Sequence, residues 1–89
     1  MTQKEILDAL KALIVERLKF DPLRAAEMTL ETTLPKGVEG SLGLDSLDFI
    51  ELSVAIEERF GIVIDEAEDL ADDFLSLATL SRFVLAKVR

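Results

Sequence analysis

The chain has 89 residues, of which 49% are hydrophobic and 31% charged, with a formal net charge of −8. It is too apolar for a disordered tail and short enough that one domain over residues 1–89 is expected, burying about 60–65% of its unfolded surface. With no cysteine, neither a disulfide framework nor a thiolate site of its own is open to it.

Thr2-Gln3-Lys4-Glu5 has the spacing of a capping box, in which Thr2 and Glu5 each receive the other's backbone amide. Ile6, Leu10, Leu13, Ile14 and Leu18 follow at three- and four-residue steps, so a first helix is expected over about residues 3–19. Asp21-Pro22 is expected to close it, because a residue before proline is pushed out of the helical region. Residues 20–44 then form a long connection holding both prolines and three of the four glycines. Leu23, Met28, Leu30 and Leu34 are its expected anchors in the core, and Lys36-Gly37-Val38-Glu39-Gly40 its most flexible part.

Asp45 or Ser46 is placed to cap a second helix that runs to about Arg59 and stops near Gly61. Ile62-Val63-Ile64 has no partner strand and reads as a loop plugging the core. A short acidic third helix is expected from Glu66 to Asp72. Leu75, Leu77, Leu80, Val84 and Val88 mark a last amphipathic helix, with Lys87 and Arg89 suited to its C-terminus. The expected fold is all-α: a four-helix bundle of three longer helices and one short third helix, with a long first loop.

The charge is uneven. Between Glu27 and Asp73 there are fourteen Asp and Glu against Lys36 and Arg59, whereas the flanking segments carry a net +4. Such a field repels nucleic acid and anionic membranes and steers partners with basic patches toward the chain. No apolar run nears the ~20 residues of a membrane span. No secretory signal is visible at the N-terminus, so a cytoplasmic monomer is expected.

Catalytic groups are scarce. The chain has no histidine, cysteine, tyrosine or tryptophan, and a serine nucleophile needs an adjacent base. An enzyme is therefore not expected. Asp65, Asp69 and Asp73 stand four apart beside Glu66, Glu68 and Asp72. They lack the glycine and twelve-residue spacing of a calcium-binding loop, so they read as a solvated helix face and no metal site is expected. Ser46 is different, because a hydroxyl in the first turn of a helix lies beside unpaired amides at the positive end of the macrodipole. A phosphodiester attached there would be stabilised.

The stretch Leu42-Gly43-Leu44-Asp45-Ser46-Leu47-Asp48, continued by Glu51-Leu52, Glu57-Glu58 and Phe60, resembles the acyl carrier protein family. The resemblance implies that Ser46 receives 4′-phosphopantetheine from coenzyme A, with Asp45 and Leu47 flanking the attachment point. A separate phosphopantetheinyl transferase that uses Mg²⁺ would add it. It implies a docking face of Leu47, Asp48, Ile50, Glu51, Val54, Glu57 and Glu58, meeting basic patches on ketosynthases and acyl-transfer enzymes. Phe49, Leu52, Ile56 and Phe60 on the inner stripe, with Ile62, Ile64 and Ala67, would line an acyl cavity. The implied function is to carry acyl thioesters for a fatty-acid, specialised lipid or polyketide pathway.

Against the family pattern, Ser41 stands where an acidic residue is common, the loop through Lys36–Gly40 is longer, and Phe49 and Ser53 are unusual inner residues. Two other readings are open. One is an aminoacyl or peptidyl carrier, against which Asp45 argues, since such carriers often have histidine there. The other is a non-catalytic acidic interaction module in which Ser46 is only a helix cap.

Overall fold

The computed structural model describes residues 2–64 and 70–88, and the side chains among these except those of residues 70 and 71. The described residues contain α1 (Gln3–Arg17), α2 (Pro22–Ala26), α3 (Ser46–Phe60), α4 (Leu70–Asp73) and α5 (Leu77–Val88). The all-α expectation holds, with one short helix more than expected inside the first connection.

α1 starts at the Thr2–Glu5 capping box: Glu5 N–H donates to Thr2 Oγ1 at 3.2 Å, and Thr2 N–H donates to Glu5 Oε1 at 2.9 Å. The bond from the Thr2 backbone amide, followed by the Thr2 side chain, holds the Glu5 carboxyl below its ordinary pKa. The helix ends at Arg17, two residues short of the expected end, and Lys19 then takes a left-handed φ of 58°. Asp21-Pro22 does not close α1 but opens α2. Asp21 Oδ1 accepts Leu23 N–H at 2.9 Å, and Pro22 occupies the first helical position, where its missing N–H costs nothing. As a consequence Leu23 points outward and is 79% exposed, contrary to its expected place in the core. Ala25 is buried in its stead, while Met28 and Leu34 are buried as expected.

The core is built from Ile6, Leu10, Leu13 and Ile14 of α1, Leu52, Ala55 and Ile56 of α3, and Leu77, Leu80 and Val84 of α5. Burying such a large apolar side chain is worth about 1.5–3 kcal/mol. α1 lies against both α3 and α5. The buried Ser81 is satisfied, donating to the Ala78 carbonyl and accepting from Gln3 Nε2, each at 3.0 Å. Leu75, expected in the last helix, lies before it and is 44% exposed; Ser76 and Thr79 exchange amide bonds at the start of α5. The expected third helix is described only as Leu70–Asp73, and its earlier residues lie outside the described ones.

The connection after α2 is held by backbone bonds rather than left loose. Leu34 N–H donates to the Leu75 carbonyl at 3.0 Å, and Leu44 N–H to the Leu34 carbonyl at 2.9 Å. Lys36 N–H donates to the Leu44 carbonyl at 2.9 Å. Leu34 and Leu44 are both buried. The residues just before α3 are thereby tied through Leu34 to the turn before α5.

Candidate functional site: the start and outer face of helix α3

Gly43 makes the last bend before α3 with φ 74°, a conformation that disfavours any side chain. Ser41 sets up this bend: its hydroxyl donates to the Pro35 carbonyl at 2.6 Å and accepts Gly43 N–H at 3.2 Å. Its departure from the family pattern thus has a local structural use.

Asp45 is the N-cap. Its Oδ1 accepts Asp48 N–H at 3.0 Å, and Asp48 Oδ2 accepts Asp45 N–H at 3.1 Å. With this box complete, Ser46 is the first helical residue and not the cap. Its side chain is exposed and has no hydrogen-bond partner among the described residues. An exposed hydroxyl that no described residue engages, at the positive end of a helix of 15 residues, fits covalent attachment of an anionic group.

Beyond Ser46 the two faces of α3 differ in exposure. Leu47 is 75% exposed and Ile50 61%, and Val54 is also exposed. Leu52 and Ile56 are fully buried, while Phe49 and Phe60 are half-buried against the core. Phe49 meets Phe74 edge to face at 5.9 Å between ring centroids, and Phe74 in turn lies 6.2 Å from Phe83. Ser53 donates to the Phe49 carbonyl at 2.8 Å, so its hydroxyl is satisfied within the helix. Past Gly61, Ile64 is buried and Ile62 half-buried, with Val63 turned to solvent. Ala67 lies outside the described residues.

The carboxylates of the outer face all have partners within the chain. Arg17, on the last turn of α1, donates through Nε to Glu51 Oε1 at 3.0 Å and through Nη1 to Glu58 Oε2 at 2.8 Å. The two carboxylates, Glu58 first, push the guanidinium pKa up. Glu57 Oε2 accepts Ile64 N–H at 2.8 Å and so fixes the turn after α3. Asp48 is engaged in the cap. Nothing in the sequence around Arg17 points to these partners, which lie 34 and 41 residues away. Of the acidic residues between Asp65 and Asp73, Asp72 and Asp73 are described and the others are not. No group of three metal-ligating side chains occurs among the described residues.

Residues 8–84 match the family model described as a phosphopantetheine attachment site. The chain belongs to the acyl carrier protein family. It is 40% identical over 73 residues to the acyl carrier protein of Thermosynechococcus vestitus, covering 79% of this chain and 80% of that protein. It is 34% identical over 79 residues to the one from Helicobacter acinonychis, covering 89% and 90%. With the acyl carrier protein of Wolinella succinogenes it shares 43% identity over 68 residues, covering 74% of this chain and 80% of the relative. Membership brings 4′-phosphopantetheine as the prosthetic group and, as partners, a phosphopantetheinyl transferase and acyl-processing enzymes. No described helix is long and apolar enough to cross a membrane.

Proposed function

We propose that Ser46 carries 4′-phosphopantetheine and that residues 1–89 act as a monomeric, non-catalytic domain in the cytoplasm. It delivers acyl groups to enzymes of a fatty-acid, specialised lipid or polyketide pathway. The observation that carries this reading is the division of labour at the start of α3. Asp45 and Asp48 complete the cap, and the exposed Ser46 hydroxyl has no hydrogen-bond partner among the described residues. A serine that served only as a cap would hold the amide that Asp45 holds.

What the attached group supplies is a terminal thiol on which acyl cargo is held as a thioester, activated for transfer. The chain's own residues do the rest. Gly43 and the Asp45–Asp48 box fix the loop–helix junction, so that the Ser46 hydroxyl is presented to a transferase in one setting. The first-turn amides of α3 favour the negative charge of a phosphodiester at Ser46. Leu47, Ile50 and Val54 offer an apolar centre for docking, with Asp48, Glu51, Glu57 and Glu58 around it. On the inner side Phe49, Leu52, Ile56, Phe60, Ile62 and Ile64 are the residues against which an acyl chain would shelter. Tethering raises the effective concentration of cargo at whichever active site the carrier meets.

Intact-mass analysis after incubation with coenzyme A, Mg²⁺ and a promiscuous phosphopantetheinyl transferase tests the reading. One addition on the wild type and none on Ser46→Ala is expected; no addition on the wild type, or equal addition on both, refutes it.

A further inference from the structure

The four carboxylates around the apolar centre of α3 differ in one respect that bears on recognition. Asp48 and Glu57 accept hydrogen bonds from neutral backbone amides. Glu51 and Glu58, two helical turns apart, share the single guanidinium of Arg17. The fully buried Ala55 lies between them in sequence on α3. The Arg17 side chain is 29% exposed, and those of Glu51 and Glu58 are 45% and 62% exposed. This pairing is therefore at the surface, within reach of a docking protein, and not part of the core.

We propose that Arg17 is a specificity-determining residue of the docking face. It neutralises the edge formed by Glu51 and Glu58 and leaves Asp48 and Glu57 as the charges that basic partners meet. The partner this surface fits has an apolar patch for Leu47 and Ile50 and places its lysines or arginines toward Asp48 and Glu57. A basic partner whose cations also reach Glu51 and Glu58, the transferase included, must first displace the guanidinium, and without it meets four carboxylates rather than two. This inference rests on the reading that the outer face of α3 docks partners.

Removing the guanidinium releases two carboxylates, each from an exposed pair worth a fraction of a kcal/mol, so the expected gain in partner affinity is about two- to fivefold. The test measures kcat and KM of a promiscuous phosphopantetheinyl transferase, with coenzyme A, for full-length carrier variants whose folding is checked by circular dichroism. Arg17→Gln lowers KM about two- to fivefold with kcat unchanged, and the gain disappears at about 1 M salt, where the screening length is ~3 Å. Adding Glu51→Gln and Glu58→Gln cancels it. Arg17→Lys, whose single ammonium cannot reproduce the two-pronged guanidinium contact, shifts KM the same way by less and serves if Arg17→Gln does not fold.

Lys4→Gln makes the same change in net charge on the first turn of α1, ~20 Å along the helix from Arg17, and gives no such gain. An unchanged KM in both Arg17 variants, or an equal gain in Lys4→Gln, overturns the proposal. If Leu47→Ser and Ile50→Ser keep the wild-type KM, the docking reading itself falls, and the role of Arg17 with it.

Discussion

Asp45 and Asp48 cap one another across the first turn of α3, each carboxylate accepting the other's backbone amide at 3.0 and 3.1 Å. Ser46 lies between them in sequence but outside this exchange. The fold is thus anchored by its neighbours, while the serine hydroxyl stays available for chemistry.

Stability should divide accordingly. Asp45→Ala removes the N-cap acceptor and is expected to cost about 0.5–2 kcal/mol in urea unfolding. Ser46→Ala, at a first-turn position where alanine is a better helix former, should stay within about 0.5 kcal/mol of the wild type. A larger loss in Ser46→Ala than in Asp45→Ala would return the capping role to the serine.

Gly43 holds φ at 74° with open space where a Cβ would be. Gly43→Ala should therefore lose about 1–2 kcal/mol through backbone torsion alone. Gly43→Asn, whose side chain tolerates the left-handed region, should lose less. Equal losses in thermal unfolding would point to a steric cause that the surroundings do not provide.

The two faces of α3 should respond in opposite ways. Leu52→Ala or Ile56→Ala opens a cavity in the core and is expected to cost about 2–5 kcal/mol in denaturant unfolding. Leu47→Ser or Ile50→Ser, on the exposed stripe, should change stability by no more than about 0.5 kcal/mol while weakening capture by partner enzymes. Core-sized losses at Leu47 or Ile50 would mean that this stripe is buried.

Acid should erase the contribution of one N-terminal carboxylate. The Thr2 bonds hold the pKa of Glu5 below its ordinary value of 4.5. A depressed carboxylate stabilises the fold above its unfolded pKa, and that stabilisation is lost as pH falls through the lower folded value. The difference in urea midpoint between the wild type and Glu5→Ala should thus be largest near neutral pH and shrink as pH falls below the ordinary value of 4.5. A difference that is the same at pH 7 and pH 3 would contradict this.

What could be read from the sequence was what local chemistry decides. The Thr2–Glu5 box and the stop near Gly61 follow from spacings of a few residues, while the outward place of Leu47, Ile50 and Val54 came with the family resemblance. The error at Asp21-Pro22 shows the limit of that reading. The same pair that disfavours continuing one helix is a good start for the next, and taking it only as a stop hid α2 and put Leu23 in the core. Arg17 was out of reach because nothing within four residues of it hints at Glu51 or Glu58. Ser41 stood out only as a departure from the family pattern, and its tie between Pro35 and Gly43 depends on a loop geometry that propensities do not encode.

The central claim is that Ser46, and no other hydroxyl, bears the prosthetic group. Trypsin should release residues 37–59 as one peptide, with Ser41, Ser46 and Ser53 as its only hydroxyl side chains. After loading with coenzyme A and a transferase, fragmentation of this peptide should locate a single phosphopantetheine on Ser46. Finding it on Ser41 or Ser53, or on a different peptide, would contradict the account.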